Sequence, residues 1–556
     1  MIGVCCRDNE KDIVREFFEL FKTPWQFYEE GRPYEVVLVT TSEIPPVNTK
    51  LLVIAGSDEK EGENDLNIVR NSQLRNILVS YNGIQVPIYG NISTFKKFGT
   101  ALLYASSDFD IVGLKVETPA SKIIRLGYDI FQEVAFLLSI GQPKENAQFP
   151  TLDIHISMLR NWILGAGVPL VEIPPVPNDY DACACLTHDI DFARVTDHKL
   201  DHTLFGFFYR STLGSFLNLL KGRSSIKNCL KNLGAFFSLP LVFMGLKKDF
   251  WLPFESYLRI EKGLKSTYFF IPFKGCPGDK VTMPKPAYRA TRYEIKDLQD
   301  WAKLLLEEGY EVGVHGIDSW HDPEKGRLEL NKIAKTIGAK VIGIRMHWLC
   351  FDSNSPKMLE EAGFEYDSTF GYNDAAGFRA GTTQAFRPLG TKRILEIPLH
   401  IQDVALFTYM NMTDEEASQC CNKIIDHVIT CGGIITILWH ERSPAPERLW
   451  GDFYISLLER LKKHRIWFAT AGQLAEWFEQ RRSIAFTRES FSGKEMCLCL
   501  ESPKALNHPG FCLRLYSPVP EENNSAEKYG SYIDIPWTGE KNVTISLAQA
   551  DSINIQ

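Results

Sequence analysis

Between about 182 and 482, short apolar runs alternate with amphipathic stretches in a repeated order of strand, loop, helix, glycine and next strand. One stretch puts Ile295, Leu298, Ala302 and Leu305 on a single helical face before Gly309, and another does so with Leu330, Ile333 and Ile337 before Gly338. A third closes at Gly363. Strands are predicted over 183–191, 266–272, 310–315, 341–347, 364–368, 394–399 and 433–440. Seven strands alternating with helices over ~300 residues call for parallel pairing, in a barrel or a doubly wound sheet.

The flanks have other patterns. Residues 1–175 read as an α/β domain, with extended apolar runs at 36–39 and 51–55 and a helical stretch over 120–140, and they offer no chemistry. The run Ile173-Pro-Pro-Val-Pro-Asn178 can sustain neither a helix nor a central strand, because proline lacks the amide donor and restrains the residue before it, so it marks a boundary. Residues 483–556 alternate short β-type runs at 496–500, 511–516 and 543–547 with Asn, Gly and Pro turns, the pattern of a small β-sandwich. The expected organisation is therefore an N-terminal α/β domain over 1–175, a parallel α/β domain over 181–482 and a C-terminal β domain over 483–556.

Composition narrows the classes. The 556 residues, 44% hydrophobic and 23% charged, are those of an ordinary globular chain, and 61 basic against 69 acidic residues give a net charge of -8. That excess offers no general attraction to phosphate backbones, which argues against nucleic acid as a partner. None of the 13 cysteines forms a Cys-x-x-Cys pair, as expected of reduced thiols, and the first residues lack the basic run and apolar core of a secretory signal. A cytoplasmic location is expected.

The polar residues that interrupt the barrel strands gather at strand ends, where parallel α/β folds build active sites. In Leu186-Thr-His-Asp-Ile-Asp191 the alternation of side chains puts Thr187, Asp189 and Asp191 on one face, so that one carboxylate is free to hold a metal while the other acts as base. His315 ends the third strand and His321 follows it, a spacing suited to metal ligation. Arg345 and His347 share a face of the fourth strand, and an arginine there requires an anionic partner, which the first strand's carboxylates would supply. His440 ends the seventh strand as a candidate general acid.

In this order the set resembles the polysaccharide deacetylase family, metal-dependent enzymes that remove N-acetyl groups from amino sugars on a distorted (β/α) barrel. Thr187-His-Asp-Ile-Asp191 departs from that family's Thr-Phe-Asp-Asp-Gly run and is similar to its Asp-x-Asp variants, which implies Asp189 as base and Asp191 as metal ligand. The second motif finds His315, with Ser319 rather than His four residues later. The third ligand is then His321, a water held by Ser319, or His347. Arg345 matches the arginine that orients the base, Tyr366-Asp-Ser-Thr369 suggests Asp367 as a steadying carboxylate, and Leu438-Trp-His440 matches the motif of the acid. Arg379, in Gly377-Phe-Arg-Ala-Gly-Thr-Thr-Gln-Ala-Phe-Arg-Pro388, and Trp348 would contact the sugar.

The resemblance implies one divalent ion, zinc by preference, and an N-acetylated saccharide or glycan precursor as substrate. The alternatives are a cyclic-amide (ureide) hydrolase on the same fold and a catalytically silent carbohydrate-binding module. About seventy residues separate Asp191 from Ser266, where a loop of ~2 to 6 is usual. Within that insertion, 203–248 holds seven Lys or Arg, no Asp or Glu, and many bulky apolar residues, as expected of helices lying in an anionic membrane interface. A peripheral position at the inner membrane face would follow.

Overall fold

The computed structural model of the protein describes all residues except 97–98, 107–109, 120, 252–253, 280–285, 493–494, 503–508, 519–530 and 548–556. The chain forms two compact units: Tyr180–Arg379 with Thr391–Ala475, and Met1–Asp179 with Ala380–Gly390 and Glu476–Gln556.

The first of these carries the alternating pattern. Its strands are β1 (Ala182–Ile190), β2 (Ser266–Phe270), β3 (Glu311–Gly316), β4 (Gly343–Met346), β5 (Tyr366–Asp367), β6 (Leu395–Glu396), β7 (Ile401–Gln402), β8 (Ile434–Leu438) and β9 (Ile466–Phe468). They pair in the order β6-β5-β4-β3-β2-β1-β8-β7, with β9 also on β1, and every pairing is parallel. The two edge strands β6 and β7 are consecutive in the chain. Ile397, just after β6, donates to the Asp367 carbonyl of β5, and His400, just before β7, to the Thr436 carbonyl of β8, and the parallel sheet curls as in a (β/α) barrel.

Nine strands replace the seven expected. The two additional ones, β7 and β9, have two and three residues, too few for a hydrophobic period to register. The longer strands were legible because both faces of a parallel sheet are covered, and every residue of β1, β2 and β8 is buried. The helices close as their ends dictate. Pro323–Ile337 begins at Asp322, whose carboxylate accepts from the Glu324 and Lys325 amides, and stops at Gly338 with φ 71°, a left-handed angle that costs glycine nothing. Its Ile333 is fully buried, and burying such a side chain contributes about 1.5–3 kcal/mol. Gly343 opens β4 because a Cβ there would meet the Tyr366 ring at 1.8 Å.

The other unit is built from three chain segments. A nine-stranded mixed sheet has parallel strands at one end, Trp25–Phe27, Ile2–Cys5, Val36–Val39, Leu51–Ala55 and Lys122–Leu126, followed by antiparallel ones that include the long hairpin Arg70–Tyr81 with Ile84–Phe95. The helix expected over 120–140 is shorter: Lys122–Leu126 is a strand, and the helix Ile130–Ser139 starts at Asp129, which caps the Phe131 and Gln132 amides. Ile123, Ile124 and Leu126, interrupted by one arginine, suit a covered strand as well as a helix, which is why the period there was ambiguous. The strands of the last segment form two three-stranded sheets. In one of them Phe511–Tyr516 pairs with Leu170–Glu172, so 483–556 shares a sheet with the N-terminal segment. The segment 380–390 is tied in by Asp153, whose carboxylate accepts from Thr382 Oγ1 at 2.6 Å and the Thr383 amide at 3.1 Å.

Candidate active site

Alternation along β1 does what the sequence requires of it. Thr187 and Asp189 turn to one side, while His188 is buried on the other between the Trp439 carbonyl at 2.7 Å and Glu261 at 2.8 Å. The register sets His315 beside Arg345 on adjacent strands. From there Arg345 donates to Thr187 Oγ1 at 2.6 Å, Asp189 Oδ1 at 3.2 Å, and the Ser368 carbonyl and hydroxyl at 2.8 and 2.7 Å. Four acceptors fix a planar guanidinium, and through it the Asp189 carboxylate.

Beyond Asp189 lies a triangle of bare donor atoms. His315 Nδ1 donates to the Arg345 carbonyl at 3.0 Å and His347 Nε2 to the Arg289 carbonyl at 3.1 Å. A carbonyl only accepts, so the remaining nitrogens, His315 Nε2 and His347 Nδ1, carry no hydrogen in the neutral rings. They face each other at 3.0 Å, and Asp191 Oδ1 lies 3.2 Å from each. Two lone pairs and a carboxylate oxygen at such spacing repel unless a cation lies among them. The spacing is near the ~3.3 Å edge of a tetrahedron with ~2.0–2.1 Å bonds, so the residues present fit a zinc-type ion. Burial pushes His347 down to about 4, which keeps its ring neutral. Against burial, His347, His315 and His440 hold the Asp191 carboxyl well below its ordinary range.

Of the three alternatives for the third member of the cluster, the structure brings one to Asp191 and His315. His321 Nε2 is taken up by Asp318 at 3.2 Å, and Ser319 donates to Glu329 at 2.6 Å, so His347 completes the cluster. The residue after it, Trp348, has φ 64° and Leu349 has φ 48°, two successive left-handed residues that are not glycine. Strain of this kind is held where surroundings over-determine it, and here it turns the chain so that His347 faces inward and Trp348 lines the cavity.

His440 lies on another wall. Its Nδ1 meets Asp403 Oδ1 at 2.6 Å and its Nε2 is 3.7 Å from Asp191 Oδ2. Burial alone would lower its pKa, but Asp403, then Asp191 and Asp189, hold it up to about 9. Sequence reasoning missed Asp403. The signal was present as an acidic residue directly after the apolar stretch that contains β7, the same signature as Asp191 after β1. Glu441 was also missed. It is buried, accepts from the Asp191 amide at 3.2 Å, and is pushed up to about 8 by burial and by Asp191.

Two expected residues stand apart. Asp367 accepts from the Thr369 hydroxyl and is raised to about 6 by burial, next to Glu396, itself pushed well above its ordinary range. Both carboxyls are buried, and neither lines the cavity. Arg379 donates to the Gly371 carbonyl at 3.0 Å and stacks 4.4 Å over Phe370, also away from the cavity. Asp189, Asp191, His315, His347, Trp348 and His440 do line it, in a space of about 580 Å³. A second space of about 560 Å³ continues from Asp191, His347 and Trp348 toward His202 and Arg292.

No family model and no curated protein matches the chain. Among solved structures, the chain is similar to a Mycobacterium smegmatis protein assigned as a polysaccharide deacetylase, at 16% identity and TM-score 0.32, over 55% of this chain and 95% of the other. It is similar to a Puue allantoinase at 13% identity and TM-score 0.33, over 55% and 92%. It is also similar to a CE4-family pseudoenzyme from Bacillus anthracis at 14% identity and TM-score 0.24, over 54% and 66%.

Proposed function

We propose that the protein is a metal-dependent hydrolase that removes N-acetyl groups from an amino sugar in a saccharide or glycan precursor. The observation that carries this reading is the triangle of Asp191, His315 and His347 within one cavity that also holds a pinned carboxylate and a protonated imidazole. A zinc ion held by those three residues would supply a Lewis acid and a water that ionises near neutral pH. Asp189, oriented by Arg345, takes the proton of the attacking water. His440 holds its proton at neutral pH because Asp403 stabilises the imidazolium, and gives that proton to the departing amine nitrogen. Asp367 supports β5 rather than meeting substrate, and Trp348 offers the cavity an aromatic face.

The test is release of acetate from N-acetylated saccharides by zinc-loaded protein. Asp189→Asn should keep its metal and lose about 100 to 10,000-fold in turnover, since an amide cannot accept the proton. Ring opening of a cyclic ureide with no acetate from any sugar would reassign the substrate class. Neither activity, with metal bound, would leave a binding module.

The insertion gives this activity a location. Of the 24 large hydrophobic side chains exposed among the described residues, 13 lie within 200–246. On the helix Ile226–Phe243 the exposed Ile226, Leu230, Phe237 and Leu241 fall at spacings of four, seven and four, one stripe opposite the buried Ala235, Leu239 and Val242. Lys221, Arg223, Lys227, Lys231, Lys247 and Lys248 are exposed beside it, with no acidic residue between 203 and 248. An apolar stripe flanked by one sign of charge fits an anionic lipid surface. Among the described residues no helix is long and apolar enough to cross a membrane.

A further inference from the structure

The cavity that holds the triangle also holds two arginines that hydrolysis does not use. Arg442 and Arg448 both line it, and Arg442 reaches the adjoining cavity as well. Arg442 lies over Phe192 at 3.9 Å and near Trp251 at 5.3 Å, and Arg448 lies over Trp450 at 4.6 Å. Aromatic faces thus fix the planes of both guanidiniums. Among the described residues, no acceptor takes a hydrogen bond from either one. Nε and Nη1 of Arg448 are buried and unpaired, and so is Nε of Arg210, from the insertion, which lies close enough to repel both.

The local charge does not balance. Three guanidiniums gather against two carboxylates, Glu441 and Glu447. Glu441 accepts from the Asp191 amide and Glu447 from the Trp251 indole at 2.8 Å, and the other oxygen of each is buried without a partner. Asp403 is already matched by His440. Even with both glutamates ionised one positive charge is in excess. A cluster of like charges out of water is costly to hold, and it persists where a ligand supplies the missing anion. A single carboxylate would be saturated by one guanidinium fork. Two preset forks with a third charge behind them suit an oxyanion with more oxygens and more charge.

We infer that Arg442 and Arg448 form a subsite for a phosphate or diphosphate group carried by the substrate. The inference rests on the deacetylase reading of this cavity and specifies its substrate: an N-acetylated sugar bearing a phosphoryl ester, either soluble, as in a nucleoside diphosphate sugar, or linked to a lipid. Arg210 adds charge from behind and ties the subsite to the insertion.

Inorganic phosphate is the first probe, titrated by calorimetry into the zinc-loaded full-length protein at constant ionic strength. Arg442→Gln and Arg448→Gln should each weaken it by about 10 to 100-fold, the value of a charge-assisted hydrogen bond in a partly dry site. Phosphate bound only at the metal would be unaffected by either change, and that result overturns the proposal. In phosphate-free buffer both variants should melt no lower than wild type, because a repelling charge has been removed. If Arg448→Gln fails to fold, Arg442→Gln and Arg448→Lys carry the measurement; loss of fold in all three would make the arginines structural and sink the subsite.

The source of the phosphoryl group is read from two further substrates. A nucleoside diphosphate N-acetylhexosamine and a polyprenyl diphosphate N-acetylhexosamine in neutral vesicles are compared with the uncharged sugar. The Gln variants should raise KM about 10 to 100-fold for whichever phosphorylated form is used, with kcat kept within about twofold, and leave the uncharged sugar unchanged. An equal effect on charged and uncharged sugars would refute phosphoryl recognition. If no sugar releases acetate but phosphate still binds through the two arginines, the deacetylase reading falls and the anion site stands.

Discussion

His315 Nε2, His347 Nδ1 and Asp191 Oδ1 are held within 3.2 Å of one another by groups that are not themselves ligands: the Arg345 and Arg289 carbonyls and the backbone at the end of β1. Asp191→Ala and His347→Ala should therefore purify folded but with less than about a tenth of the zinc of wild type, measured by elemental analysis, while His321→Ala keeps it. A His321→Ala protein that lost its metal, beside a His347→Ala protein that kept it, would reverse the ligand assignment. The strand alternation made Asp189, Asp191, His315, Arg345 and His440 legible, because the period of two in a covered strand leaves little freedom about which side a polar residue takes. The choice between His321 and His347 was not legible. It depends on Trp348 and Leu349 adopting left-handed angles and on Asp318 capturing His321, and neither has a period to read.

Among elements, long strands and their capped helices announce themselves, while β7, at two residues, does not, and Asp403 at its end went unseen with it. The insertion was legible in composition, yet only the folded helices show which residues the rest of the unit leaves uncovered. Vesicles of rising anionic lipid content should sediment increasing fractions of the protein, with the effect weakened by salt. Replacing Leu230, Phe237 and Leu241 by Ser should abolish binding without altering acetate release; a triple variant that still sediments would clear the stripe of this role. In the other unit, His155 on the helix Thr151–Gly165 is driven by burial to about 4. Between ~6.5 and 4 the unfolded chain takes up a proton there that the folded chain refuses, so stability from this group falls as pH falls, by about 3 kcal/mol in all. Glu133, pushed by burial to about 7, works in the opposite sense above ~4.5. The difference between wild type and His155→Leu isolates the histidine: in urea unfolding, the variant should lose less stability on going from pH 6.5 to pH 4. Parallel pH profiles would mean the ring ionises in the folded state.

The whole molecule divides at a level that local patterns do not encode. Hydrophobic periods locate elements, but nothing periodic in 380–390 says that Gly381 accepts from the Leu152 and Asp153 amides, or that Arg481 donates to the Ile173 and Leu20 carbonyls. An excised fragment of residues 181–482 would leave 380–390 and 476–482 without those partners, and should show a lower melting temperature and more aggregation than the full chain. A fragment as stable as the parent would show that these ties contribute nothing. The three-segment composition of the N-terminal unit also orders events on the ribosome. Among the described residues Leu170–Glu172 pairs with Phe511–Tyr516, and Arg481 donates to the Leu20 carbonyl, so the first 179 residues meet these partners after the remainder of the chain has emerged. Vectorial synthesis therefore makes the first part translated the last to acquire all its partners, although its nine-stranded sheet is drawn from residues 2–126 alone.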